Sequence, residues 1–102
     1  MKIVLFCALG MSTSLLVESM KEAAKEQGME IDINAYSVDE FDLHAESADV
    51  ILLGPQIRYK KKSLETKADA IGKPLEIIDS VSYGTINGTK ALEQARGMLN
   101  KK

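Results

Sequence analysis

The sequence predicts an α/β fold of three layers, α/β/α, around a four-stranded parallel sheet of order 2-1-3-4, and three observations lead there. Lys2 to Phe6 and Asp49 to Leu53 are apolar, partly β-branched runs without polar alternation, as parallel strands covered on both faces require. Segments with apolar residues at helical spacing lie between the strand-like runs, so strands and helices alternate along the chain. Right-handed crossovers that keep the two most apolar strands central then give the order 2-1-3-4.

The first strand, Lys2 to Phe6, stops at Cys7. From Ser12 to Gln27 the pattern is helical: Leu16, Met20, Ala23 and Ala24 share a stripe, Glu18, Lys21, Glu22 and Lys25 face away, and Gly28 supplies the stop. Glu30 to Tyr36 alternates, with Ile31, Ile33 and Ala35 on one side and Asp32 and Asn34 on the other, as an edge strand does. Val38 to Ser47 is polar and reads as a loop or short helix with two apolar anchors, Phe41 and Leu43. Asp49 to Leu53 is a central strand ended by Gly54-Pro55. Ile57 to Ile71 is helical, with Leu64, Ala68 and Ile71 on one face and Gly72-Lys73-Pro74 as its end. Leu75 to Ile78 forms a fourth strand. Asn87 or Gly88 opens a last helix whose apolar face is Ala91, Leu92, Ala95, Met98 and Leu99.

At 102 residues the chain is expected to form one domain over 1–102, able to bury a core without a staple. A single Cys precludes an internal disulfide, and one His with one Cys makes no zinc set, so neither metal nor cofactor is expected. With 13 Lys+Arg against 15 Asp+Glu there is no basic excess for a polyphosphate backbone, which argues against nucleic-acid binding. Ile3 to Met11, the longest apolar stretch, is about half the roughly 18 residues a bilayer span requires. It is also too short, behind a single Lys2, for a secretory leader, and reads as the first buried strand. A lone thiol survives best in a reducing compartment, so the expected location is cytoplasmic, with no direct membrane insertion.

In a sheet of order 2-1-3-4 the chain reverses direction between strands one and three, and a crevice opens outside their carboxyl ends. Cys7 and Gly54-Pro55-Gln56 occupy those ends. After Cys7 come Ala8, Leu9, Gly10, Met11, Ser12, Thr13 and Ser14, then a helix. Gly10 permits a backbone whose N–H groups turn inward, and the helix N-terminus adds unpaired N–H donors, together an anion nest. Ser12, Thr13 and Ser14 can each donate a hydroxyl to an oxyanion, although at least one is expected to cap the helix instead. The same positive end favours a thiolate at Cys7, and a thiolate facing a phosphate nest is a nucleophile.

Cysteine-dependent phosphatases place an Arg six residues after the nucleophile to clamp the phosphoryl group. Thr13 stands there in this chain, and no Arg or Lys occurs between Lys2 and Lys21. Neutral N–H and O–H donors suit holding a phosphoryl group and passing it on, so the loop points to a relay. Two other readings are a phosphatase-like enzyme and a flavodoxin-like phosphate-binding module. The missing Arg weighs against the first, and the absence of Trp, with only three Tyr to flank a ring, against the second.

These residues resemble the IIB component of the phosphoenolpyruvate-dependent sugar phosphotransferase system (PTS), in its lactose/cellobiose/chitobiose class. The likeness is carried by Ile3-Val4-Leu5-Phe6-Cys7 with Gly10-Met11-Ser12-Thr13-Ser14-Leu15-Leu16-Val17, by Ala48 to Ile57, and by Ile78-Asp79-Ser80 with Tyr83-Gly84. The resemblance implies a fold similar to low-molecular-weight cysteine phosphatases and a phosphocysteine phosphotransferase activity. Cys7 would accept phosphate from a phosphohistidine of enzyme IIA. It would then donate to a β-glucoside-type disaccharide (cellobiose, chitobiose or lactose) bound in the membrane enzyme IIC. The phosphate would lie in the loop from Ala8 to Ser14. With no membrane segment before Lys102, the expectation is a free-standing IIB of a cellobiose- or chitobiose-like system.

Three further residues are candidate accessories. Gln56, at the end of strand three, can reach the crevice or simply stabilise its turn. Asp79 follows strand four, near where the phosphatases keep an acid, but is expected to cap or order its loop, and the Tyr83 hydroxyl can touch phosphate or a partner. His44 is expected to be structural. Arg58, Lys60, Lys61 and Lys62 read as a solvated face that can steer an acidic partner, and Leu9 and Met11 as docking contacts or core plugs.

Overall fold

The computed structural model describes residues 1–8 and 13–99. Ile3, Val4, Leu5 and Phe6 have no exposed surface, so β1 (Lys2–Cys7) needs cover on both faces and a neighbour on both edges. It has them. β2 (Asp32–Ser37) pairs on one side and β3 (Val50–Leu53) on the other, with β4 (Leu75–Ile77) beyond β3, all parallel and in the order 2-1-3-4 expected from the sequence. Leu5 stands opposite Ala35 on one side and Leu52 on the other.

Because side chains alternate across a strand, the sheet divides its apolar residues between two cores. Ile3, Leu5, Val50 and Leu52 pack with Leu16, Val17 and Met20 of α1 (Ser14–Glu26) and Leu92, Ala95 and Met98 of α5 (Gly88–Leu99). Val4, Phe6, Ile51 and Leu53 pack on the other face with Phe41, Ala45, Ile57, Leu64 and Ala68. Three layers result, as the alternation of strands and helices implies.

Three segments differ from the expectation. Residues 38–47 fold as a 3-10 turn (Val38–Glu40), α2 (Phe41–His44) and a second 3-10 turn (Ala45–Ser47). Phe41 anchors it, with its ring 4.9 Å from that of Phe6, but Leu43 does not: it is 75% exposed. Two residues along a helix lie on nearly opposite faces, so once Phe41 turns inward the inward positions fall to Val38 and Ala45. The single helix expected over 57–71 is a 3-10 segment (Pro55–Lys60) followed by α3 (Lys61–Ala70), with Ile57 off helical geometry at φ −112°, ψ 22°. Ile57 is fully buried, and the break lets it plug the core while Pro55 starts the turn. A short helix, α4 (Ser80–Gly84), follows β4 where no periodicity announced one.

Gln94 of α5 holds the β4 end of the sheet. Its Nε2 donates to the Ile77 carbonyl at 2.8 Å and its Oε1 accepts from the Asp79 N–H at 2.9 Å. Helix α5 in turn touches α1 backbone to backbone at Gly88, whose N–H donates to Ser19 Oγ at 3.0 Å. A Cβ added at Gly88 would stand 2.2 Å from the Ser19 carbonyl carbon, and backbone cannot give way as a side-chain tip can. Gly88→Ala is therefore expected to push the two helices apart and to cost about 3 kcal/mol, read from the urea unfolding midpoint.

Candidate functional site

The covered strands bring Cys7, fully buried, to the carboxyl end of the sheet. Beside it the chain leaves β3 through Gly54, whose N–H donates to the Phe6 carbonyl at 2.8 Å. The place a Gly54 Cβ would occupy lies 3.4 Å from Cys7 Cβ and 2.8 Å from Gln56 Oε1. With no side chain at 54, the Gln56 amide folds back over Gly54, which itself packs beside the cysteine.

Thr13 is buried and stands at the N-cap of α1, but its side chain accepts no bond from the helix. Its hydroxyl instead donates to Cys7 Sγ at 3.7 Å, an ordinary length for a sulfur acceptor. Of the three hydroxyl residues, Thr13 thus serves the sulfur rather than the cap, and Ser14 is the exposed first residue of the helix. Leu9, Gly10, Met11 and Ser12 lie outside the described residues. Ala8 is exposed, and its carbonyl accepts from Ser37 Oγ at 3.4 Å, which ties the start of the loop to the end of β2. Sequence reasoning passed over Ser37. The signal for it is topological: in an order 2-1-3-4 the end of strand two neighbours the end of strand one.

Gln56 and Tyr83 meet, with Gln56 Nε2 donating to the Tyr83 hydroxyl at 2.7 Å. Tyr83 rides on α4, half-buried against the core shared by α1 and α5. Asp79 caps that helix, as expected: its Oδ2 accepts from the Ser82 N–H at 2.9 Å and the Ser82 hydroxyl at 3.1 Å. The Ser82 N–H, then its hydroxyl, hold the carboxyl below the ordinary value of 3.8. Such a group stays ionised, which suits a cap and not a proton donor.

His44 stacks on Tyr36, ring centroids 3.5 Å apart and 5° from parallel, with Nε2 3.6 Å from Glu40 Oε1. That is a structural setting on the flank of β2. Arg58 and Lys62 are exposed, and Lys61 lies 3.9 Å from Glu65. Among the described residues no cluster of three His, Cys, Asp or Glu could hold a metal ion, and no helix is long and apolar enough to cross a membrane.

The sequence model of the lactose/cellobiose-specific IIB subunit of the PTS matches residues 2–94. The chain belongs to this IIB family. It is 43% identical over 98 residues to the oligo-beta-mannoside-specific EIIB component of Bacillus subtilis (strain 168), covering 96% of this chain and 95% of the relative. It is 40% identical over 103 residues to the galactose-specific EIIB component of Lactococcus lactis subsp. cremoris (strain MG1363), at the same coverage of 96% and 95%. The solution structure of the cellobiose-specific phosphotransferase IIB component from Borrelia burgdorferi superposes with a TM-score of 0.84 at 40% identity, covering all of this chain and 94% of that one. As IIB components are phosphotransferases that work with IIA and IIC partners, the site just described belongs to a sugar phosphotransfer protein.

The lowered Asp79 value fixes a pH dependence. A group whose folded pKa lies below its unfolded one adds stability that is present above the unfolded value and lost as pH falls through the folded one. Asp79→Asn keeps an acceptor at the cap but removes the charge. The melting temperature of the wild type is expected to exceed that of Asp79→Asn at neutral pH, with the gap closing in acid below about pH 4. A gap independent of pH would show that the charge contributes nothing.

Proposed function

We propose that Cys7 carries the phosphoryl group, and that residues 8–14 hold it, in a single IIB domain working in the cytoplasm. The observation that supports this most directly is the Thr13 hydroxyl aimed at Cys7 Sγ from the first turn of α1. A donor on sulfur at the positive end of a helix favours the thiolate and then an oxyanion in its place.

Sγ attacks the phosphorus of a phosphohistidine on IIA. The S–P bond forms as the P–N bond breaks, and the departing imidazole nitrogen takes up a proton while the thiol gives one up. A hydroxyl of a sugar held in IIC next attacks the phosphorus, the P–S bond breaks, and sulfur leaves as thiolate while the hydroxyl proton is lost. The substituted atom is phosphorus in both steps, so neither step changes an oxidation state. Thr13 stands where cysteine phosphatases keep an Arg, which supports transfer over hydrolysis. The lactose and cellobiose of the family description, with the oligo-beta-mannoside and cellobiose named for two relatives, support a β-linked disaccharide as the cargo, and the galactose named for a third does not bear on the linkage.

Incubation with phosphoenolpyruvate, the two general phosphotransfer proteins and a cognate IIA is expected to add one phosphoryl group to the wild type by intact mass. Cys7→Ser is expected to unfold cooperatively and to gain none. Phosphate found on His44, or on no residue, would end the carrier reading.

A further inference from the structure

Gln56 links Gly54, which packs beside Cys7, to Tyr83, with its two amide ends doing different things. The Nε2 end donates to the Tyr83 hydroxyl, and the Oε1 end lies against Gly54, 2.8 Å from a Cβ position that is itself 3.4 Å from Cys7 Cβ. Beside a thiol an amide oxygen is an acceptable neighbour. Beside a phosphoryl dianion it is repelled, because two acceptors would face each other with no proton between them.

We infer that the Gln56 amide turns end for end when Cys7 is phosphorylated, presenting Nε2–H to the phosphoryl group while its bond to Tyr83 persists with the direction reversed. The inference rests on the carrier reading above and deepens it by assigning a phosphate contact outside the loop. Three features of the site support it. The terminal torsion of Gln is broad and two-fold, so the two orientations differ little in intrinsic energy. A tyrosine hydroxyl both accepts and donates, so Tyr83 accepts from Nε2 before phosphorylation and donates to Oε1 after it. Tyr83 is also a fixed post, because its own N–H donates to the Asp79 carbonyl at 2.9 Å, its ring packs on the core, and Asp79 caps the helix it rides on. Gly54 leaves the room: a side chain there would meet the amide at 2.8 Å. Gln56 is thus a phosphate ligand, and Tyr83 a positioning residue that acts through it.

The test uses the full chain in two measurements, with the protein phosphorylated through IIA and the site of phosphate located by mass spectrometry. The side-chain NH2 resonances of Gln56 are expected to shift on phosphorylation of Cys7, and in Tyr83→Phe that shift is expected to shrink. The equilibrium constant for transfer from phospho-IIA is expected to fall about tenfold in Gln56→Met, which cannot donate. It is expected to fall further in Gln56→Glu, which adds a like charge, with melting temperatures near that of the wild type. An equilibrium of this kind does not depend on how fast the donor docks, so it separates the phosphate contact from an effect on association. If Cys7 is phosphorylated and the Gln56 NH2 resonances stay put, or the Gln56→Met equilibrium matches the wild type, the turning amide is refuted while the carrier reading stands. If Cys7 takes no phosphate, both fall together.

Discussion

A parallel sheet can be covered on both faces only if every connection crosses over a face, and crossovers leave all the strand carboxyl ends opening on one side. In this chain the requirement comes from Ile3 to Phe6, four side chains with no exposed surface, each stabilising the fold by about 1.5–3 kcal/mol through burial. Only the two interior positions of a four-stranded sheet give a strand two covered faces and two paired edges, and β1 and β3 take them. Cys7 is the next residue, and its place at the mouth of the central strand follows from the burial of the four before it. The same constraint sets Gly54 at its side and Ser37 within reach of Ala8.

Helix caps show where the fold gives up local stability at the site. At α4 the cap is complete, with the Asp79 carboxylate bonded to both groups of Ser82. At α1 the cap residue is Thr13, a type that serves well there, yet its hydroxyl is directed to the sulfur and not to the helix, a bond worth about 1 kcal/mol at a cap. The two choices are connected. The capped helix holds Tyr83 still for Gln56, and at the start of α1 the Thr13 hydroxyl is left to the sulfur.

The strands and their order were legible in the sequence because long apolar runs have one solution in a parallel sheet, and so was Cys7 at its end. What failed to show depends on information that is not local. Leu43 and Ala45 are both plausible anchors in isolation, and only the direction Phe41 takes toward Phe6 decides between them. The break at Ile57 depends on a core that residues of β1, β3, β4, α3 and the 38–48 segment build around it. Gln56 and Tyr83 are 27 positions apart and meet because β4 places α4 over the end of β3, a juxtaposition no periodicity encodes. Ser37 follows from the strand order, since strand two ends beside strand one, and not from any pattern along the chain. Asp79, by contrast, was readable as a cap, since its bond to Ser82 spans only three residues.

A carrier must release what it binds, and that requirement sets an upper limit on how well the loop should hold phosphate. A cation adds Coulomb attraction to its hydrogen bonds with a phosphoryl dianion, and each 1.4 kcal/mol of extra affinity tilts an equilibrium about tenfold. An Arg in the place of Thr13 would hold the phosphoryl group on sulfur at the expense of the next transfer, and would stabilise the transition state for attack by water as it does in a phosphatase. A threonine hydroxyl gives one neutral donor, and on the reading above the Gln56 amide gives a second that is present only while phosphate is there. Donors of this strength leave the phosphocysteine free to pass its group on to the sugar hydroxyl. The absence of a cation from residues 3–20 is, on this view, as much a part of the mechanism as the thiol itself.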